Sequence, residues 1–312
     1  MQRNVTITID GQAAGKTLLA LLCDRFTYHT REAWQRLIVE GALLVNDVQA
    51  QAGQVLQLGD VLRYDFGQRP EPAVDTQYRI LYRDEAFLVV DKPGNLPCHP
   101  AGRYFKNTLW SLVQERDQVA QPRLVNRLDR ETSGLVVVGQ TLEASRHLAQ
   151  QFAAHTVEKE YLVLVEGIFP SQLDATGWLV HDPRSVVRKK RAFVREQPCE
   201  GASEPCETRF AAVETCGGVS VVRAYPKTGC LHQIRATLCS LGFPVVGDKL
   251  YGVDDTFFVK FIEDALTDED KQRLRLSRQA LHAETLRLTH PLTGERLSFT
   301  APPPSCFHPS AW

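Results

Sequence analysis

Short apolar runs alternate with polar breaks from the start of the chain. VTITI (5–9) alternates threonine with apolar side chains, the period of a half-buried strand. LLALLCDRF follows and suits a helix. In REAWQRLIVEG (31–41), Trp34, Leu37 and Ile38 fall on one helical face and Gly41 supplies a stop. ALLVNDVQAQ predicts two short strands about an Asn-Asp turn, and GDVLRYDF another strand. GQRPEPAVDTQ (67–77) is polar and proline-rich and reads as a linker.

After the linker, YRILYRDEAFLVVDKPG holds two strand candidates, and NTLWSLVQE suits a helix. RLVNRLDRETSGLVVVG (123–139) predicts a loop carrying Asp129 and then a strand over Leu135–Val138. TLEASRHLAQQF places Ala144, Leu148 and Phe152 on one helical face, with Thr141 as N-cap. EKEYLVLVEG is a strand. Strands and loops then dominate until HQIRATLCSLG, a helix with a glycine C-cap. TDEDKQRLRLSRQAL predicts a further helix, and ETLRLTHPLTGERLSFTAP a hairpin turning at Gly294. Consecutive strands with segregated helices indicate an α+β fold rather than a doubly wound one.

The chain has 312 residues, 43% of them hydrophobic, enough for two domains with a sizeable core. With 36 basic and 37 acidic residues the net charge is -1, so a nucleic-acid partner must be sought in local charge. Residues 184–195 hold six basic side chains and no acid, whereas 254–270 hold seven acids and one lysine. A charge-polarised molecule is expected. The eight cysteines form no Cys-x-x-Cys pair, no signal peptide opens the chain, and no run is long enough for a membrane span. A cytoplasmic protein with reduced thiols is expected, acting as a monomer and without a membrane partner.

Asp129 stands among Arg123, Arg127 and Arg130, immediately before an apolar strand. In isolation such a cluster is a surface ion-pair network. Here NRLDRETSG resembles the catalytic motif of the RluA-type RNA pseudouridine synthases, most often His-Arg-Leu-Asp, two variable residues, then Thr-Ser-Gly. ILYRDEAFLVVDKPGNLPCHP, EKEYLVLVEG, HQIRATLCSLGFPVVGDKLYG and LSRQALHAETLRLTHPLTGE match further segments of that family in order, over roughly 78–304. RLIVEGALLVNDVQA with LQLGDVLRY is similar to the small S-four-like RNA-binding domain, over about 16–66.

The resemblance implies an S-four-like domain at 1–67, a linker at 68–77 and a mixed or antiparallel-sheet catalytic domain at 78–312. It implies isomerisation of uridine to pseudouridine in structured RNA, with no cofactor and no metal. Large-subunit ribosomal RNA is favoured. Transfer RNA is the alternative, as is a non-catalytic RNA-binding or ribosome-assembly protein on a retired synthase fold. Asp129 would be the catalytic carboxylate, Arg235 its cationic partner, and Tyr161 the ring that stacks on uracil and helps remove the proton from carbon 5. Arg127 would fill the gap left by a flipped base. Arg130, Thr132, His232 and Gln233 are expected at the substrate. Arg188, Lys189, Lys190 and Arg191 are expected on RNA phosphates, and Arg31 and Arg36 are the RNA candidates of the first domain.

Two departures stand out. Asn126 occupies the position where histidine is commonest, and Cys230-Leu231 replaces the usual Arg-Thr before His232. A further motif is a decoy. DGQAAGKTLL (10–19) imitates a phosphate-binding loop, but Gly11 and Gly15 are one residue too close and Asp10 would repel phosphate.

Overall fold

The computed structural model describes residues 4–26, 30–65, 71–185, 187, 189–262 and 265–307. The chain forms two compact units, Met1–Pro72 with Ala101–Lys106, and Ala73–Pro100 with Asn107–Trp312. The boundary thus falls inside the expected linker. Residues 101–106, expected in the catalytic segment, join the first unit, where the Glu71 carboxylate accepts the Phe105 and Lys106 N–H groups, both at 2.9 Å.

The first unit runs β1 (Asn4–Thr8), α1 (Leu18–Arg25), α2 (Arg31–Val39), β2 (Leu43–Val45), β3 (Val48–Gln49) and β4 (Val61–Asp65). Its sheet has the order β1-β4-β2-β3, antiparallel throughout. Thr17 and Thr30 cap the helices through their hydroxyls. Trp34, Leu37 and Ile38 are buried, as their spacing predicts, and the Trp34 indole donates to the Phe26 carbonyl at 3.1 Å. Asn46 and Asp47 turn the β2–β3 hairpin with positive φ at both residues. The Asp10 carboxylate accepts from the N–H groups of Gln12 and Ala13, so it occupies amides that a phosphate-binding loop would offer to its ligand.

The second unit begins with β5 (Arg79–Arg83), β6 (Phe87–Lys92), α3 (Leu109–Arg116), β7 (Arg123–Leu124) and β8 (Ser133–Gly139). It continues with α4 (Leu142–Ala153), β9 (Glu158–Glu166), β10 (Gln172–His181), β11 (Arg191–Val194), β12 (Ser203–Cys216) and β13 (Val219–Pro226). It closes with α5 (Gln233–Ser240), α6 (Thr256–Ile262), α7 (Asp268–Leu274), β14 (Leu281–Thr289) and β15 (Arg296–Thr300). One mixed sheet carries the order β11-β10-β12-β13-β9-β14-β8-β6-β5, with β15 on β14 and β7 on β8. Every pairing is antiparallel except β14–β8.

Strands β6 and β8 read as continuous apolar runs because both of their faces are covered. Phe87, Val89, Leu135 and Val137 pack with Ala144 and Leu148 of α4. Leu88, Val90, Val136 and Val138 pack with Leu109 and Val113 of α3. A third core joins Val163, Phe210 and Val222 of the sheet to Ile234, Ala236 and Leu238 of α5. Helix α5 is thereby seated with almost every residue buried, its first turn facing the loop before β8.

Two helices differ from expectation. The helix from Thr267 stops at Leu274, with Arg275 at φ 62°. Residues 276–278 instead bend, so that the Ser277 carbonyl meets Lys249 while Arg278 and Gln279 reach Glu131 and Thr132 of the loop before β8, a tertiary demand that overrides helical periodicity. Helix α6 was missed because its apolar TFFVKFI sits inside a stretch that reads as acidic.

At the parallel β14–β8 contact, Gly134 has φ +111° and a Cβ there would collide with the Ala283 carbonyl. Gly134→Ala should therefore cost about 2–4 kcal/mol, from strain and overpacking together. A urea titration would show it as a lowered midpoint with an unchanged slope.

Candidate active site

The loop between β7 and β8 is fixed residue by residue. The Asn126 amide donates to the Leu135 carbonyl at 3.2 Å and accepts the Val137 N–H at 2.8 Å, so it substitutes for a strand neighbour. Leu128 is buried, and its N–H and carbonyl both engage the Cys98 thiol. The Arg130 carbonyl accepts from Leu96 N–H and from the ammonium of Lys92, at 3.0 and 3.2 Å. Lys92 is wholly buried and also donates to the carbonyls of Pro93 and Leu96. Burial lowers its pKa to about 8. Glu131 accepts from Lys249 at 2.8 and 3.0 Å, and Thr132 N–H closes a turn onto the Asp129 carbonyl.

Within this frame the Asp129 carboxylate stands free of its own loop and meets α5. Its Oδ2 accepts from Arg235 Nη1 at 2.7 Å, and its Oδ1 lies 3.6 Å from His232 Nε2. Arg235 is itself held from behind: Nε and Nη2 donate to the two oxygens of Asp248 at 2.6 and 2.9 Å. Asp248 is fully buried, and its Oδ1 also accepts the N–H groups of Leu250 and Tyr251. The Tyr251 ring lies under the guanidinium, 4.9 Å from ring centroid to Cζ.

Burial works to raise the Asp129 pKa, but Arg235 outweighs it, helped by the Gln279 amide, and holds the group at about 2. Asp248 is lowered by Arg235 against its own burial. Burial, then the neighbouring Arg235, lowers His232 to about 4, so its imidazole is neutral at pH 7. The site therefore holds an ionised carboxylate, 29% exposed along its side chain, with one oxygen locked and one open.

A profile of the RNA pseudouridylate synthase family matches residues 86–240, which include Asp129, Tyr161 and Arg235. Ribosomal large subunit pseudouridine synthase D of Nitrosomonas europaea is 31% identical over 97% of this chain and 86% of its own length. The chain belongs to the RNA pseudouridylate synthase family. The mitochondrial tRNA pseudouridine(32) synthase of Saccharomyces cerevisiae is 31% identical over 78% of this chain, which spans only 52% of that protein. The solved structure of Human RNA Pseudouridylate Synthase Domain Containing 1 aligns at a TM-score of 0.59 and 28% identity, covering 77% of this chain and 89% of that one.

The synthase brings together some of the residues expected at its site and withdraws others. Tyr161, on β9, is half-buried; burial first, and then the charge of Asp129, raise its phenol to about 12. It is therefore un-ionised at neutral pH, which suits a ring face rather than a ready base. Arg127 is exposed, and no hydrogen bond or ion pair holds its side chain among the described residues. Arg130 lies 4.6 Å over the Phe261 ring and 3.3 Å from Glu131. Thr132 and Gln233 are both buried. Thr132 accepts from Gln279, while Gln233 is bonded to Thr208, Glu207, Thr228 and Cys230.

The basic segment is partly paired with acids. Arg184 and Lys190 pair with Asp182, and Lys190 and Ser185 also hold Asp255. One acid of the acidic stretch, Asp255, thus meets one cation of the basic stretch, Lys190. Arg188 lies outside the described residues. Lys189 is exposed, its ammonium 4.5 Å over the Phe258 ring, and the half-buried Arg191 gives its N–H to the Tyr251 hydroxyl. Arg31 and Arg36 are exposed on α2, with no ion pair for either among the described residues.

Asp248, Tyr251, Lys92, Lys249 and Gln279 went unassigned at the sequence level. All five lie within motif segments that match the family, but nothing in composition or period marks a buried acid as the anchor of a distant arginine. Arg235→Gln should lower the single-turnover rate about 10²–10³-fold. Losing the cation removes the chief force opposing burial, so the acid limb of the residual activity should move up from near pH 2 toward neutrality. A pH–rate profile of wild type and variant checks both points.

Proposed function

We propose that this synthase isomerises uridines of large-subunit ribosomal RNA, with Asp129 as the carboxylate that acts on the ribose. The observation that carries the reading is the Asp129–Arg235 pair at 2.7 Å, ionised yet open on its Oδ1 side. In the reaction the bond from C1′ to N1 breaks, the uracil turns, and C1′ bonds to C5. The C5 hydrogen leaves to water while N1 gains one. Nothing is oxidised, and no cofactor is required. Nucleophilic attack on C1′ and proton removal from the sugar both start from the same ionised oxygen.

A stacked uridine cannot reach Asp129 and must be flipped out. The unpaired Arg127 side chain fills the vacated stack, and the neutral ring of Tyr161 receives the uracil. Lys189 and Arg191 take phosphate oxygens. The first unit serves as an S-four-like docking domain through Arg31 and Arg36. Eight free thiols fit a reducing cytoplasm, and among the described residues no helix is long and apolar enough to cross a membrane.

Ribosomal RNA is favoured because relatives named for the large subunit align over 95–97% of the chain, a span that must take in the first unit. The relative named for tRNA aligns over 78%.

With RNA tritiated at C5 of uracil, wild type should release label to water from large-subunit ribosomal RNA and not from tRNA. Asp129→Asn should release at least about 10³-fold less. Release from tRNA alone would transfer the target to that class, and equal release by the variant would remove Asp129 from its role. In the same assay, Arg31→Glu with Arg36→Glu should weaken RNA binding and flatten its salt dependence by about one to two log units per log unit of salt, leaving the saturated rate unchanged. Unaltered affinity would remove α2 from the RNA surface.

A further inference from the structure

We propose that His232 is a positioning residue for Asp129: a neutral imidazole, fixed as the Nε2–H tautomer by Tyr251, that directs the open oxygen of the carboxylate. The inference rests on Asp129 being the reacting group and assigns a role to two residues that the RNA reading leaves without one.

His232 occupies the N-cap of α5 with a left-handed backbone, φ 58° and ψ 21°, yet its side chain makes no capping hydrogen bond. The N-caps of α1, α2, α3, α4 and α7 are threonines whose hydroxyls accept a backbone N–H. The imidazole is spent on something else. Its side chain is only 8% exposed, so it offers little surface to RNA. Its Nδ1 lies 3.0 Å from the Tyr251 hydroxyl, and its Nε2 3.6 Å from Asp129 Oδ1.

The tautomer follows from donor and acceptor accounting. Tyr251 is fully buried, and its hydroxyl oxygen lies 2.9 Å from the Arg191 N–H, which can only donate. That oxygen is therefore an acceptor toward Arg191, and its single proton needs an acceptor of its own. His232 Nδ1 supplies one. Were Nδ1 protonated, the hydroxyl would accept twice and its proton would be stranded in a dry interior. The bare Nδ1 places the imidazole proton on Nε2, the nitrogen that faces Asp129.

A separation of 3.6 Å exceeds a hydrogen bond, but a small turn of the Asp129 side chain closes it. Contacts of this kind tighten when substrate arrives. With Oδ2 on Arg235 and Oδ1 on His232, both ends of the carboxylate are fixed and its plane is set. Neutrality matters equally. Asp129, Asp248 and Arg235 sum to one net negative charge, which favours C1′ as it becomes electron-poor on losing N1. An imidazolium would cancel that charge.

The test combines nitrogen-15 NMR of the histidine side chains with tritium release under single turnover, on C5-tritiated bulk RNA from cells lacking the protein. At pH 7 His232 should show a protonated Nε2 and a bare Nδ1, and Tyr251→Phe should mix the tautomers. His232→Ala should slow release about 10–100-fold with RNA affinity unchanged, and His232→Gln, whose amide can donate from a similar place, should recover part of the loss. A protonated Nδ1 or an imidazolium in wild type overturns the proposal. So does an unchanged rate in His232→Ala, or a loss confined to RNA affinity. Asp129→Asn is run alongside: full release by that variant means the reading of Asp129 has failed, whereas its inactivity with an unaffected His232→Ala means that only the positioning role has.

Discussion

A single guanidinium shared by two carboxylates organises the catalytic unit. Arg235 is buried, and a buried cation survives only if its charge and donors are both met. Asp248 meets two of the donors from inside, and the amides of Leu250 and Tyr251 hold Asp248 in turn. The remaining Nη1 points outward with an undiminished preference for an anion, and Asp129 is the anion it finds. Removing Asp248 would leave Arg235 to draw Asp129 inward. The inner pair is thus the reason the outer acid stays where a ribose can meet it.

The opposite side of Asp129 follows a different rule. Its loop is tied down largely through backbone groups: Lys92 to three carbonyls, Cys98 to both polar groups of Leu128, Thr132 back to Asp129. Such bonds fix position without adding a second counter-ion to the carboxylate. Lys92 does add positive charge, but the carbonyls around its ammonium surround it with partial negative charge, and burial makes it easier to deprotonate. The result is rigid placement from one side and charge stabilisation from the other. Preorganised electrostatics need this division, since a carboxylate paired on both sides would gain stability and lose reactivity.

Much of this was legible along the chain. Asp129, Tyr161 and Arg235 could be picked out by motif, and the face of α4 and the Thr141 cap by period. What escaped shares one physical cause. Periodicity describes an element's relation to its own core and carries no signal for charge neutralised across the fold. Lys190 looked like a phosphate ligand because Asp255 is 65 residues away in the chain. Gln233 and Thr132 looked like substrate contacts because they sit in the right motif, although their polar atoms face inward. Helix α7 looked longer because the helical pattern runs on through residues that the site uses as braces.

The two departures from the family pattern lose their weight for a related reason. Asn126 serves β8 with one donor and one acceptor, a pair that a neutral histidine also carries. At Cys230 the backbone N–H donates to Gln233 at 2.9 Å, a bond indifferent to the side chain above it, while the thiol donates to the Pro205 carbonyl at 3.4 Å. Leu231 is 43% exposed and faces outward. Neither replacement intrudes on the Asp129–Arg235–Asp248 array. Asp248 is a fully buried acid whose chief partner is Arg235, and burying an ion pair is rarely the most stable choice for a core. The desolvation cost of that pair is offset by its holding Arg235 against Asp129, the arrangement that the proposed carboxylate chemistry calls for.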